Sequence, residues 1–125
     1  MSLSVYLTGK TKRVQCVCTQ CGHKHTRKKT EEWYSASITH NLVPMAKKAG
    51  IYKPLWYPEK IGISKAGQLI GPLRKALALM KATPARFKKC NAKNGWGLYG
   101  DFVPWMERYL AACEEHHDAN VKVSR

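Results

Sequence analysis

Three cysteines and two histidines fall within ten residues: Cys16, Cys18, Cys21, His23 and His25. Thiolates and imidazoles are the ligands that zinc prefers. Cys18-Thr19-Gln20-Cys21-Gly22 has the spacing of a zinc knuckle. In a knuckle a tight turn lets two thiolates grip one ion, and the glycine supplies a positive φ. Cys18 and Cys21 are the expected pair. A tetrahedral ion takes four ligands, so two more must come from Cys16, His23, His25, His40 or a more distant group. No second Cys-x-x-Cys occurs, and no carboxylate precedes Glu31. A catalytic metal needs an open position and a nearby general base, so the zinc expected here is structural. The alternative is a hairpin that keeps its shape with free thiols.

A second constellation lies in the middle and late chain. His40 and Asn41, with Asn94, offer paired donors and acceptors, and Tyr52, Trp56, Trp96 and Tyr99 offer flat faces with polar tips. Gly95 and Gly97 let backbone N–H groups approach a ligand closely. Together these residues suit a pocket that stacks a base and holds phosphate. The plainer alternative has the tryptophans filling the core, Asn94-Gly95 forming a turn and Asn41 capping a helix.

Charge points the same way. Lys and Arg number 22 against 8 acids, for a formal net charge of +14, and no acid lies between Lys60 and Gly100. Such a balance attracts nucleic acid, nucleotides or an acidic protein surface. Lys24, Arg27, Lys28 and Lys29 beside the knuckle, with Arg74 and Lys75 later, are the expected phosphate contacts. No element for reading base edges is apparent, so binding should be salt-sensitive and weakly sequence-selective. No Walker loop, His-Glu-x-x-His or Gly-x-Ser-x-Gly occurs, and the chain is not expected to be an enzyme. Cys113 reads as a buried, inert thiol, and Cys90 as a lone thiol without an evident base.

These residues need elements to position them. Strands are expected over 3–8 and 12–18, broken at Gly9, with a turn at 18–22 and a partner strand over 23–34. Cross-strand pairing would bring His23 or His25 near Cys16. Helices are expected over 42–49 (capped by Asn41), 64–82 (capped by Ser64, kinked or split at Gly71-Pro72), 84–89, and 102–116 (capped by Asp101). Residues 51–62 and 91–100 read as ordered loops. Val121 and Val123 alternate with polar residues, which predicts a last strand returning to the sheet. The sum is one α+β domain: a small antiparallel sheet with a knuckle-like N-terminal hairpin (1–34), then a layer of three to four helices with the C-terminal strand (35–125). No apolar run approaches a membrane span and no signal-peptide pattern is present, so a soluble cytosolic protein with no membrane partner is expected.

Thr39-His40-Asn41-Leu42, Met45-Ala46, Ala49-Gly50-Ile51-Tyr52, Leu55-Trp56, Pro58-Glu59, Lys65-Ala66-Gly67-Gln68-Leu69-Ile70, Asn94-Gly95-Trp96-Gly97 with Tyr99, and Tyr109-Leu110-Ala111-Ala112-Cys113 together resemble a family of small phage- and prophage-encoded proteins of unknown function. The likeness covers roughly residues 34–125, and Cys18 to Gly22 matches the shorter Cys-x-x-Cys-Gly segment at the start of such proteins. This chain is more basic and richer in cysteine than that pattern. The resemblance implies a phage accessory gene acting in the cytoplasm of an infected bacterium, a setting that suits counter-defence. The expected function is non-enzymatic binding of an anionic partner, a nucleic acid or a nucleotide. The alternatives are an anti-CRISPR-like inhibitor that binds a host defence complex and, further off, a metal-dependent nuclease or hydrolase.

Overall fold

A computed structural model describes residues 2–17, 22, 24–91, 95 and 97–125, with 10–17 and 24–30 described as backbone. Leu3, Val5 and Leu7 alternate with Ser2, Ser4 and Tyr6, and the three apolar residues are fully buried. That period of two is the signature of a strand with one face on the core. It begins β1 (Ser2–Val17), which runs antiparallel to β2 (Lys24–Thr39) from Ser2 opposite Thr39 to Val17 opposite Lys24. The C-terminal strand returns as predicted. β3 (Asn120–Ser124) pairs with Ser4–Thr8 on the other side of β1, giving the order β2-β1-β3.

Gly9 does not end the first strand, as its type suggested. The register shifts between Leu7 and Thr8 and again between Thr8 and Thr11, then resumes and carries the pair to Val17 and Lys24. The two irregularities offset each other, so the ladder survives them. Trp33 explains the glycine: a Cβ on Gly9 would lie 2.5 Å from the Trp33 ring. β2 also runs beyond the expected 34, because half-buried Tyr34 and Ala36 and buried Ile38 alternate with exposed Ser35 and Ser37.

Among the described residues the helical layer has five α-helices rather than three to four: α1 (Val43–Ala49), α2 (Tyr52–Trp56), α3 (Gly67–Ala82), α4 (Pro84–Lys88) and α5 (Tyr99–Glu115). The extra one lies in the 51–62 stretch read as a loop, where Pro58–Ile61 also forms a 3-10 turn. Pro54 and Pro58 each sit within a first turn, where a missing N–H costs no helical bond.

Three expected caps are displaced by other partners. The Thr39 hydroxyl accepts from the Asn41 N–H at 3.2 Å, so the chain enters a 3-10 turn (His40–Leu42) before α1, and Asn41 is not the cap. The Gln68 carboxamide oxygen accepts from the N–H groups of Ser64 and Lys65 at 2.8 and 3.0 Å. Ala66 and Gly67 donate to the carbonyls of Ala119 and His117, and α3 starts at Gly67 instead of Ser64. The Tyr99 N–H donates to Asn91 Oδ1 at 2.8 Å, so α5 opens three residues early and Asp101 falls in its first turn. An acid there still opposes the positive end of the helix dipole. α3 is not split at Pro72; the proline lies inside one continuous helix.

The core fills the space between the sheet and the helices. Leu42, Met45, Ile51, Leu55, Leu69, Leu73, Met80, Phe87, Phe102 and Met106 are fully buried with the three β1 residues. Each such side chain contributes about 1.5–3 kcal/mol through burial. Salt bridges Arg74–Glu114 (3.0 Å) and Lys81–Glu107 (2.9 Å) tie α3 to α5 at the surface. Among the described residues no helix is long and apolar enough to cross a membrane.

Candidate functional site

A cleft of about 1190 Å³ lies at the open end of the β1–β2 hairpin. Its floor is Ser2 of β1 and 37–39 of β2, the 3-10 turn brings His40 and Asn41, and Gly95 and Gly97 close one side. The opposite wall is one face of α5: Asp101, Pro104, Trp105 and Arg108. Their spacing of three, four and seven residues puts them on a single helical stripe. Gly97 is buried with φ +116°, and a Cβ there would lie 3.0 Å from Asn41 Cβ and 3.3 Å from Thr39 Cγ2. Glycine is what lets this loop lie against the turn that carries His40 and Asn41.

His40 is held from behind. The Trp56 indole N–H donates to His40 Nδ1 at 2.9 Å. An indole nitrogen can only donate, so Nδ1 accepts and the neutral ring carries its proton on Nε2. His40 thus offers the cleft an N–H donor rather than a base. The support continues outward: Trp56 is 2% exposed, its carbonyl accepts from Arg125 at 2.8 Å, and Tyr52 stacks on its ring at 5.7 Å.

Trp105 is 5% exposed, and its indole N–H has no acceptor among the described residues. Neither Asp101 nor Arg108 is in an ion pair among them. Burial pushes the Tyr34 phenol above its ordinary pKa, and the Arg108 guanidinium partly opposes that rise. The cleft thus holds one guanidinium, Arg108, and one carboxylate, Asp101, among the described residues, beside His40.

The structure separates the residues singled out in the sequence. His40 and Asn41 line the cleft, Trp56 backs His40, and Tyr52 lies one layer further out under Lys47, whose Nζ is 5.0 Å from the ring centre. The Tyr99 hydroxyl donates to the Met80 carbonyl at 3.0 Å, a tie between α5 and α3. Asn94 and Trp96 lie outside the described residues. Sequence reading misses Trp105 and Arg108 and takes Asp101 for a cap. Their shared stripe is the available signal, but the periodicity of α5 draws attention to its core face alone.

At the other end of the hairpin the sheet narrows. β3 pairs only with Ser4–Thr8, so from Thr11 onward β1 and β2 form a two-stranded arm. Residues 10–30 include seven Lys and Arg and no acid. In the register Lys12 faces Lys29, Arg13 faces Lys28, Arg27 faces Val14 and Lys24 faces Val17. Arg74 and Lys75 sit apart from this arm on α3, where Arg74 pairs with Glu114 and Lys75 is exposed.

Cys16 and His25 are register partners next to the turn. Gly22 has φ +67°, as the knuckle reading expected. Cys18, Cys21 and His23 lie outside the described residues. Among the described residues no group of three or more His, Cys, Asp or Glu is placed to hold a metal. Cys113 is fully buried, and burial, with a smaller push from Glu114, raises its thiol to about 12, the state of an inert core thiol. Cys90 is half-buried, its N–H bonded to the Phe87 carbonyl at 2.9 Å. No family model, curated protein or solved structure matches the chain.

Proposed function

We propose that the chain is a non-enzymatic nucleic-acid-binding protein whose β1–β2 arm lies along a duplex and contacts its phosphates. The observation that carries this reading is the register, with Lys12 opposite Lys29 and Arg13 opposite Lys28. Like charges directly opposite one another destabilise a strand pair. A polyanion alongside the pair would offset that charge. The shape is compatible: paired strands lie ~4.8 Å apart, and a major groove about 12 Å wide admits a two-stranded ribbon. Contacts of this kind track phosphate rather than sequence, so affinity should fall steeply with salt.

Zinc at the tip fits the same reading. Cys18 and Cys21 would hold it with two of Cys16, His23 and His25, and the pairing of Cys16 with His25 supports that set. The ion would supply structural closure of the turn, leaving phosphate contact to Lys24, Arg27, Lys28 and Lys29. The phage-like motifs support a role in counter-defence within the cytoplasm of an infected bacterium.

The test is a titration of the purified protein against a random-sequence DNA duplex at a series of salt concentrations. Binding that weakens along a straight line in log affinity against log salt supports the proposal. Absence of binding at low salt contradicts it. So does an acidic host protein that stays bound after nuclease treatment while no nucleic acid is retained, which would favour the inhibitor reading. Metal content measured on the same sample should give zinc, and a chelator should weaken the duplex complex.

A further inference from the structure

The cleft lies at the opposite end of the hairpin from the arm, since Ser2 and Thr39 close one end of the register and Val17 and Lys24 the other. Nothing in the arm's proposed chemistry uses it. We propose that this cleft is a separate small-molecule site that binds a purine mononucleotide, with guanine as the preferred base. Two observations converge. His40 is fixed by Trp56 as an N–H donor. Arg108 lines the same wall as Trp105 with no carboxylate partner among the described residues, so its fork is open to an anion.

Asp101 fixes what the rest of the ligand must be. It lies seven residues before Arg108 on the same face of α5, which at the helical rise is ~10 Å along the wall. A simple anion would meet Arg108 but would be repelled by Asp101. The ligand must therefore carry an acceptor at one end and adjacent donors at the other. A mononucleotide spans a comparable length from phosphate to the far edge of its base. A carboxylate accepts two parallel hydrogen bonds from the ring N–H and exocyclic amine of guanine. Adenine, cytosine and uracil each lack that donor pair. Pro104 and the Trp105 edge give the base an apolar wall between the two charges.

The test is calorimetric titration of the full chain with guanosine, inosine and adenosine monophosphates, and with triglycine as a bipolar ligand that is not a nucleotide. Saturable binding of guanosine monophosphate is expected, tighter than inosine monophosphate, which lacks the exocyclic amine. Arg108→Gln should weaken it about 10- to 100-fold, and Asp101→Asn should erase the preference for guanosine over inosine. Both residues are exposed, so neither change threatens the fold. The site is refuted if guanosine monophosphate shows no saturable binding, if triglycine binds as tightly, or if Arg108→Gln binds like the wild type. Glutamine at the arm positions Lys24, Arg27, Lys28 and Lys29 should leave this binding unchanged, which separates the cleft from the arm.

Discussion

β1 belongs to two different regions. Up to Thr8 it is the middle strand of three, with Leu3, Val5 and Leu7 fully buried in the core. From Thr11 it has one neighbour, and two successive register pairs set cation against cation. The first region gains its stability from apolar burial, which does not depend on neutralising charge. In the second, the backbone register sets Lys12 opposite Lys29 and Arg13 opposite Lys28. Trp33 marks the border: it covers Gly9, packs at a tilt against His116 with ring centres 5.1 Å apart and donates its N–H to Glu31, one of the first acids after the basic stretch. The contrast teaches that regular hydrogen bonding does not imply one purpose. The body is organised around an apolar core, and the arm sequence concentrates positive charge.

That contrast can be broken at several points. Phe102→Ala in the body should have the largest effect, about 3–5 kcal/mol of destabilisation in a denaturant titration, because a fully buried ring leaves a cavity. Equal stability in that variant would mean the core is not where the structure has it. At the border, Gly9→Ala forces a Cβ to 2.5 Å from the Trp33 ring. It should cost about 1–3 kcal/mol and quench or shift Trp33 fluorescence, and an unperturbed spectrum would remove Trp33 from its place over the bulge. Trp56→Phe deletes the donor to His40 Nδ1 and should cost about 1 kcal/mol. Nitrogen-detected NMR should then show His40 sampling both tautomers instead of the Nε2–H form alone.

The smallest effect is electrostatic. A backbone hydrogen bond, opposed by burial and aided by Arg125, holds the Glu59 carboxyl below its ordinary range. A folded-state value below the unfolded one means that this group stabilises the fold at neutral pH and loses that contribution as pH falls and Glu59 protonates. Arg125→Ala should therefore lower the melting temperature slightly at neutral pH and progressively less on acidification. A deficit that grows on acidification would contradict the pairing.

How much of this was legible follows from which partners decide each feature. β3 was readable because Val121 and Val123 alternate with polar residues locally, and a strand of that pattern needs a sheet edge. The core faces of α3 and α5 were readable from their own periodicity. Gly9 reads as a break because the residue that tolerates it, Trp33, is 24 positions away in the chain. The Ser64 cap failed for the same reason: the distant carbonyls of Ala119 and His117 take the N–H groups of Ala66 and Gly67. Asp101 failed because Asn91 takes the Tyr99 N–H and the helix opens earlier. In the cleft, His40 and Asn41 stood out by type, whereas Arg108 carries its meaning only once α5 is laid against the end of β2. The opposition of Lys12 to Lys29 depends on register, which two compensating irregularities preserve and no local pattern announces.

The central claim is that the arm, and not the positive charge of the whole chain, holds nucleic acid. The direct test compares the salt dependence of duplex binding for three proteins: the wild type, a variant with glutamine at Lys24, Arg27, Lys28 and Lys29, and a variant with glutamine at Arg74 and Lys75. If each arm residue meets a phosphate, the first variant should flatten the slope of log affinity against log salt by ~3–4, at about 0.9 for each phosphate no longer neutralised. The α3 variant should keep the wild-type slope, and both should retain the melting temperature of the body. A slope unchanged in the arm variant, or flattened equally in the α3 variant, would contradict the account.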